Sequence, residues 1–250
     1  MQPGRRVAVA LAVSGACATS GQVILLRELL AIFHGNELSL GAVLAGWLLW
    51  GAVGSWCIGA RADCFRQPAV VMAVLLGVAA LLLPATVLGS ALCKGALGAA
   101  PTETLGLFES LPAVLILLAP LCVTMGGLFA IGARILDQLT PARNAVSHAY
   151  LLESTGAGCG GVIVTLVLLP HWRPLGLACL LAAVLLTTAL LLLASATLTG
   201  GQRLAARLGL AALALVSFLA ATDGATAYTG AGSVCLKPRV PGSAALRPWH

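Results

Sequence analysis

Between Ser110 and Arg134 the chain carries no charged residue, and A-V-L-I-L-L-A-P-L-C-V-T-M-G-G-L-F-A-I-G-A fills that stretch. A helix rises about 1.5 Å per residue, so an apolar run of about twenty residues matches the ~30 Å hydrocarbon layer of a bilayer. Such runs recur at roughly 7–26, 38–60, 69–92, 112–133, 145–169, 175–198 and 204–222. Of 250 residues 60% are hydrophobic and 9% charged, whereas a water-soluble domain carries roughly 25% charged residues. There is too little charge to cover a surface facing water. The expected fold is all-α: a polytopic transmembrane helix bundle of about seven spans over residues 1–222. Residues 223–250 are rich in Gly, Pro and small side chains, lack periodicity, and are expected to form a disordered tail.

The net charge is +6, but its placement argues against nucleic acid as a partner. Basic residues stand in ones and twos between apolar runs, which is how membrane topology is written. With the N-terminus inside, the inner segments hold Arg5, Arg6, Arg61, Arg66, Arg134, Arg143, Arg203 and Arg207, while the outer loops hold Arg27, Lys94 and Arg173. That bias predicts a multi-pass protein of the cytoplasmic membrane with a cytoplasmic N-terminus. Arg5-Arg6 ahead of an apolar run resembles a signal peptide. The run continues through Val23-Ile24-Leu25-Leu26, longer than a signal core, and predicts an uncleaved first helix.

The stretch Glu153 to Gly161, E-S-T-G-A-G-C-G-G, has the composition of a nucleotide loop. Such a loop needs a strand before it and an acidic residue about twenty positions on. N-A-V-S-H-A-Y-L-L precedes it without strand pattern, and no Asp follows until Asp223. Small residues four apart instead predict a helix that lets a neighbour approach closely, with Gly156, Gly160 and Gly161 on span five. Gly51, Ser55 and Gly59 repeat the device on span two. The eight cysteines form no CxxC pair and fall mostly inside apolar runs. No metal, cofactor or catalytic residue is expected.

Charge inside a bilayer costs about 2.5–3.5 kcal/mol on insertion scales, so intramembrane acids ask for a reason. Glu153, with His148 and Ser154 nearby, either lines a site for a cation, a proton or an amine, or pairs with an Arg or backbone group to fix helix register. Arg27, Glu28 and Glu37 flank the break between spans one and two, as an ion-pair cluster or as a gate for a substrate or partner. Asp63 is expected to pair with Arg61 or Arg66. Trp47 and Trp50 are expected to pack, and Trp56 to sit in an interfacial belt.

Span two begins after Asn36 and ends at Arg66-Gln67-Pro68; span five begins after Asn144 and ends at Trp172-Arg173-Pro174. Spans one to three and four to six therefore read as two triplets, a 3+3 inverted repeat. Four stretches carry a family likeness: Q-V-I-L-L-R-E-L-L (Gln22 to Leu30), G-N-E-L-S-L-G-A-V-L-A-G-W-L-L-W-G-A-V-G-S (Gly35 to Ser55), L-A-P-L-C-V-T-M-G-G-L-F (Leu118 to Phe129) and A-Y-L-L-E-S-T-G-A-G-C-G-G (Ala149 to Gly161). Over roughly residues 10–200 the chain resembles the membrane half of fused spermidine-synthase-like proteins, a half bundle similar to major-facilitator helices; Gly59 to Arg66 looks like the Gly-x-x-x-Asp loop of those transporters. The resemblance implies a membrane domain attached to an aminopropyltransferase. With three Asp in the chain and no sheet-forming sequence after residue 222, that enzymatic half is expected to be missing, and the tail looks like a shifted reading frame or a natural short ending. Two functions follow as expectations. One is binding or transport of a small cationic metabolite such as a polyamine, as a homodimer or with a partner. The other is a non-catalytic anchor for a separately encoded or lost aminopropyltransferase.

Overall fold

The structure is a computed structural model that describes residues 3–32, 37–96, 107–139 and 144–193, with Ala211. Six helices follow in order: α1 Pro3–Ile32, α2 Glu37–Gly59, α3 Pro68–Ala96, α4 Leu107–Leu139, α5 Ala145–Ile163 and α6 Pro174–Leu193. A short 3-10 turn, Ala62–Cys64, leads into α3, and a π-helical turn, Val164–Leu168, ends α5. All six helices are long and apolar enough to cross a membrane. The seventh run, 204–222, and the tail lie outside the described residues.

Lipid offers no hydrogen bonds, so every spanning segment must satisfy its own backbone, and helices do so internally. Pro68 and Pro174 open α3 and α6, where a missing N–H costs nothing. Pro84 and Pro120 lie deep inside helices. Nearby hydroxyls fold back on the backbone: Thr86 Oγ1 donates to the Leu82 carbonyl and Thr124 Oγ1 to the Pro120 carbonyl, each at 2.7 Å.

Three dominant helix pairs organise the packing: α2 on α4, α1 on α5, and α3 on α6. Leu11, Ile24, Leu25, Leu76, Leu121 and Leu185, drawn from α1, α3, α4 and α6, are fully buried and fill a continuous core. In contrast α2 and α5 flank the bundle. Of their apolar stretches 17% and 6% is buried, against 50% or more in the other four helices.

Two glycine seams attach these flanking helices. Between α1 and α5, a methyl group on Gly15 would strike the Glu153 carbonyl, and one on Gly156 would strike the Ala12 carbonyl. Between α4 and α2, a methyl on Gly126 would strike the Gly51 carbonyl, and one on Gly54 the Val123 carbonyl. Further along, Gly160 meets Ala16 and Gly161 meets Thr19, while Gly127 meets Ile58 and Gly59 meets Ala130. One constant shift in numbering carries each α1 residue onto α4 (12 to 123, 15 to 126, 16 to 127, 19 to 130). A second carries each α5 residue onto α2 (153 to 51, 156 to 54, 160 to 58, 161 to 59). Ser55 adds a hydrogen bond across the α2 seam, its Oγ donating to the Gly126 carbonyl at 2.9 Å. Gly51 takes part through its carbonyl oxygen, for its own missing side chain faces open space.

Lipid is as apolar as the helix surfaces, so these seams are held by close packing rather than by exclusion of water. Gly126→Ala and Gly156→Ala are therefore expected to destabilise the bundle by about 1–3 kcal/mol through overpacking against backbone that cannot move aside. Gly41→Ala, at an open position, is expected to be neutral or stabilising because Ala is the better helix former. Denaturant-induced unfolding in detergent micelles measures all three.

Candidate functional site

The glycine-rich stretch from Glu153 to Gly161 is uninterrupted helix within α5. Gly156, Gly160 and Gly161 meet α1, while Ser154, Thr155, Gly158 and Cys159 are exposed. Glu153 sits in this seam, half-buried, with its Cγ and carbonyl against the open side of Gly15. Among the described residues no hydrogen bond or ion pair uses its carboxylate.

His148 and Ser154 do not join it. Each helical residue turns about 100°, so His148, five positions back, is on the far side of α5 from Glu153, and Ser154 is a quarter turn away. Both are exposed. His148 borders a groove of about 560 Å³ with Arg5 and Asn144, a cationic neighbourhood unsuited to an amine. Ser154 borders an adjoining groove of about 720 Å³, lined also by Phe129, Tyr150 and Thr155, which shares Ser147 and Leu151 with the first.

Arg27 and Glu28 lie within α1, because R-E-L-L-A-I keeps helical propensity and the helix runs on to Ile32. The segment between α1 and α2, 33–36, lies outside the described residues. Arg27 Nη1 donates to the Leu169 carbonyl at 3.4 Å, at the end of the π-helical turn, where α5 runs out of amide donors. Glu28 and Arg173 each hold a partner as well. Glu37 opens α2, and its side chain lies outside the described residues, as do His34 to Asn36.

Asp63 pairs with neither expected arginine. The 3-10 turn sets its carboxylate against the Arg134 guanidinium of α4, while Arg61 Nη1 folds back onto the Cys57 carbonyl at 2.8 Å. Arg134 also holds Asp137 at 3.2 Å, one helical turn on. The cluster closes one end of a groove of about 440 Å³ bordered by Ser55, Gly59, Phe129 and Val146. Sequence reasoning missed Arg134 as the hub. The i, i+3 spacing to Asp137 was the available signal, whereas Asp63 reaches it only through the packing of α2 on α4. The two carboxylates are half exposed or more and the Arg134 side chain is 37% exposed, so the cluster ties α2 to α4 without strong focusing of a field.

Trp47 and Trp50 pack against the core. Trp56 stands out at 76% exposed. Cys64 and Cys159 are exposed and Cys17, Cys122 and Cys179 buried, all as free thiols. Among the described residues no three His, Cys, Asp or Glu side chains gather to hold a metal.

Neither a protein-family model, nor a curated protein, nor a solved structure matches this chain. The likeness to spermidine-synthase-like fusions therefore stands on the quoted residues alone.

A double-mutant cycle decides the partner of Asp63. Asp63→Asn with Arg134→Gln is expected to give a coupling of about 0.2–1 kcal/mol, the range of exposed pairs. Asp63→Asn with Arg61→Gln is expected to give none. Unfolding free energies of the single and double variants measure both couplings.

Proposed function

We propose that this chain is a non-catalytic membrane scaffold, a helical half bundle that acts by holding a protein partner within the membrane. The observation that carries it is the distribution of polarity. The core between α1, α3, α4 and α6 is filled by aliphatic side chains. The acids lie apart, in a seam (Glu153), on α1 (Glu28) and at one end of the bundle (Asp63, Asp137). No acid-lined chamber for a cation is built from them among the described residues.

The scaffold is an inverted 3+3 repeat, α1 to α3 and α4 to α6. Support comes from the two seams, whose contacts map onto each other by one shift along α1 and α4 and another along α2 and α5. Its N-terminus lies on the cytoplasmic side of the cytoplasmic membrane, supported by eight inner against three outer basic residues in the spans and loops. An aminopropyltransferase-type partner is the enzyme such a scaffold would anchor, on the strength of the sequence resemblance.

A second reading is favoured by one observation. Glu153 carries a half-buried carboxylate with no hydrogen-bond or ion-pair partner among the described residues, a group able to hold the amine of a polyamine or another small organic cation. Under it the chain is a transporter-like binder, and half a transporter needs a second bundle to alternate access.

Thermal unfolding in nanodiscs with and without spermidine separates the readings. For the scaffold, spermidine at one hundred times a trial concentration shifts wild type and Glu153→Gln equally. A stabilisation of wild type by about 2.7 kcal/mol at one hundred times Kd, lost in Glu153→Gln, would establish the binder instead.

A further inference from the structure

We infer that the groove between the first turns of α1 and α5 and the last turns of α4 binds the phosphate headgroup of an anionic phospholipid, with Arg5 as its anchor. The inference goes beyond both readings above, for it concerns an anion and makes no use of Glu153.

The charges in the groove are unbalanced. Its volume is about 560 Å³, and Arg5, Asn144, Ser147 and His148 all border it. Arg6, next in the chain, donates through Nη1 to the Leu191 carbonyl of α6 at 3.3 Å. Arg5 makes no such bond: among the described residues its guanidinium has neither a hydrogen bond nor an ion pair. The side chains of Ser147 and His148 are exposed and likewise unengaged. Asn144 makes no capping bond to α5, which leaves its side-chain amide free to donate. Among the described residues no Asp or Glu borders the groove. Asp137, the acid nearest along α4, is held by Arg134 at 3.2 Å and borders a different groove. A fixed positive charge ringed by hydrogen-bond donors, with no carboxylate to answer it, selects an anion. Guanidinium presents paired N–H groups that match two phosphate oxygens, and imidazole donates a further N–H in either tautomer.

Depth in the bilayer selects the source of that anion. The three spans that form the groove begin or end beside it, at Gly4, Leu139 and Ala145. Arg5 and Asn144 therefore stand where the hydrocarbon layer gives way to headgroups. Ala8, Leu136 and Leu151 line the same groove about one helical turn further in. Donors at the mouth and aliphatic side chains beneath reproduce the profile of a phospholipid, polar at the phosphate and apolar where the acyl chains begin. A soluble phosphate ester would use the mouth and leave the apolar wall without an occupant. A zwitterionic lipid would bring its own ammonium group beside Arg5, where no carboxylate receives it. Basic pockets between spanning helices at the cytoplasmic face are the usual seats of anionic headgroups, and this end of the bundle carries the excess of arginine.

The full chain, purified in a nonionic detergent, is unfolded thermally while phosphatidylglycerol, phosphatidylcholine or glycerol 3-phosphate is titrated in. Phosphatidylglycerol is expected to raise the midpoint saturably, and the other two to leave it unchanged over the same range. Arg5→Gln and, separately, Ser147→Glu, which sets a negative charge at the mouth, are each expected to weaken phosphatidylglycerol binding at least about fivefold, as the loss of one charge-assisted contact implies. Arg66→Gln removes an exposed arginine from the same end, outside the groove, and is expected to leave binding intact. Absence of a saturable response to phosphatidylglycerol overturns the inference. So does an Arg66→Gln loss equal to that of Arg5→Gln, which would mean surface charge alone, and so does a response to glycerol 3-phosphate as strong as that to the lipid. Should Arg5→Gln misfold, Ser147→Glu decides, since its parent side chain is exposed. Spermidine enters none of these measurements, so their failure is distinct from the failure of either reading of Glu153.

Discussion

Backbone-to-backbone approach across the two glycine seams is the constraint on which the rest of this bundle depends. In water a helix can be held by the apolar area it buries. In lipid that force is absent, and what remains is dispersion, weak C–H···O contact and a few hydrogen bonds, all of which fade steeply with distance. Gly15, Gly54, Gly126 and Gly156 bring carbonyl oxygens of the neighbouring helix to the place where a side chain would otherwise begin. The flanking helices α2 and α5 have little else to hold them. Their large side chains point mostly outward, and each is attached mainly to one partner, α4 or α1.

That division of labour sets the polarity of the molecule. Helices α3 and α6, the most apolar together with α4, pack on one another and seal the core with Leu76, Leu83, Leu177 and Leu185. Polar and small residues concentrate on the flanking helices. Bonds such as Arg27 to the Leu169 carbonyl and Arg134 to Asp63 then pin the ends of α5 and α2. Ends are where such groups are cheapest, since long basic side chains reach the interface from there. The middle is left to packing.

The sequence made much of this legible. Run length placed the six described helices, and the spacing of Gly156, Gly160 and Gly161 placed the α5 seam, because small residues at helical spacing have one dominant use in lipid. Other features depended on contacts that spacing cannot express. Asp63 was assigned to its sequence neighbours, but the 3-10 turn and the α2 seam present it to Arg134, seventy or so positions away. His148 and Ser154 were grouped with Glu153 by proximity in sequence, and helical rotation separates them into two grooves. The π-helical turn that offers the Leu169 carbonyl to Arg27 left no mark in the residue pattern of V-T-L-V-L.

Correspondence between the seams also bears on Glu153. Its counterpart on α2 is Gly51, whose carbonyl makes the same approach to a glycine of the facing helix, yet whose side-chain direction is open. The seam geometry thus demands a carbonyl at this position and places no demand on the side chain. A glycine would serve on α5 as it does on α2, without the cost of about 2.5–3.5 kcal/mol that a charge near the bilayer centre carries on insertion scales. Packing therefore does not account for the carboxylate. Nor does register, because no ion pair or hydrogen bond among the described residues engages it. Among the described residues Asp63 and Asp137 are held by Arg134, whereas the fold itself supplies no reason for the Glu153 carboxylate, and that is why a ligand reading of this position survives beside the proposed scaffold.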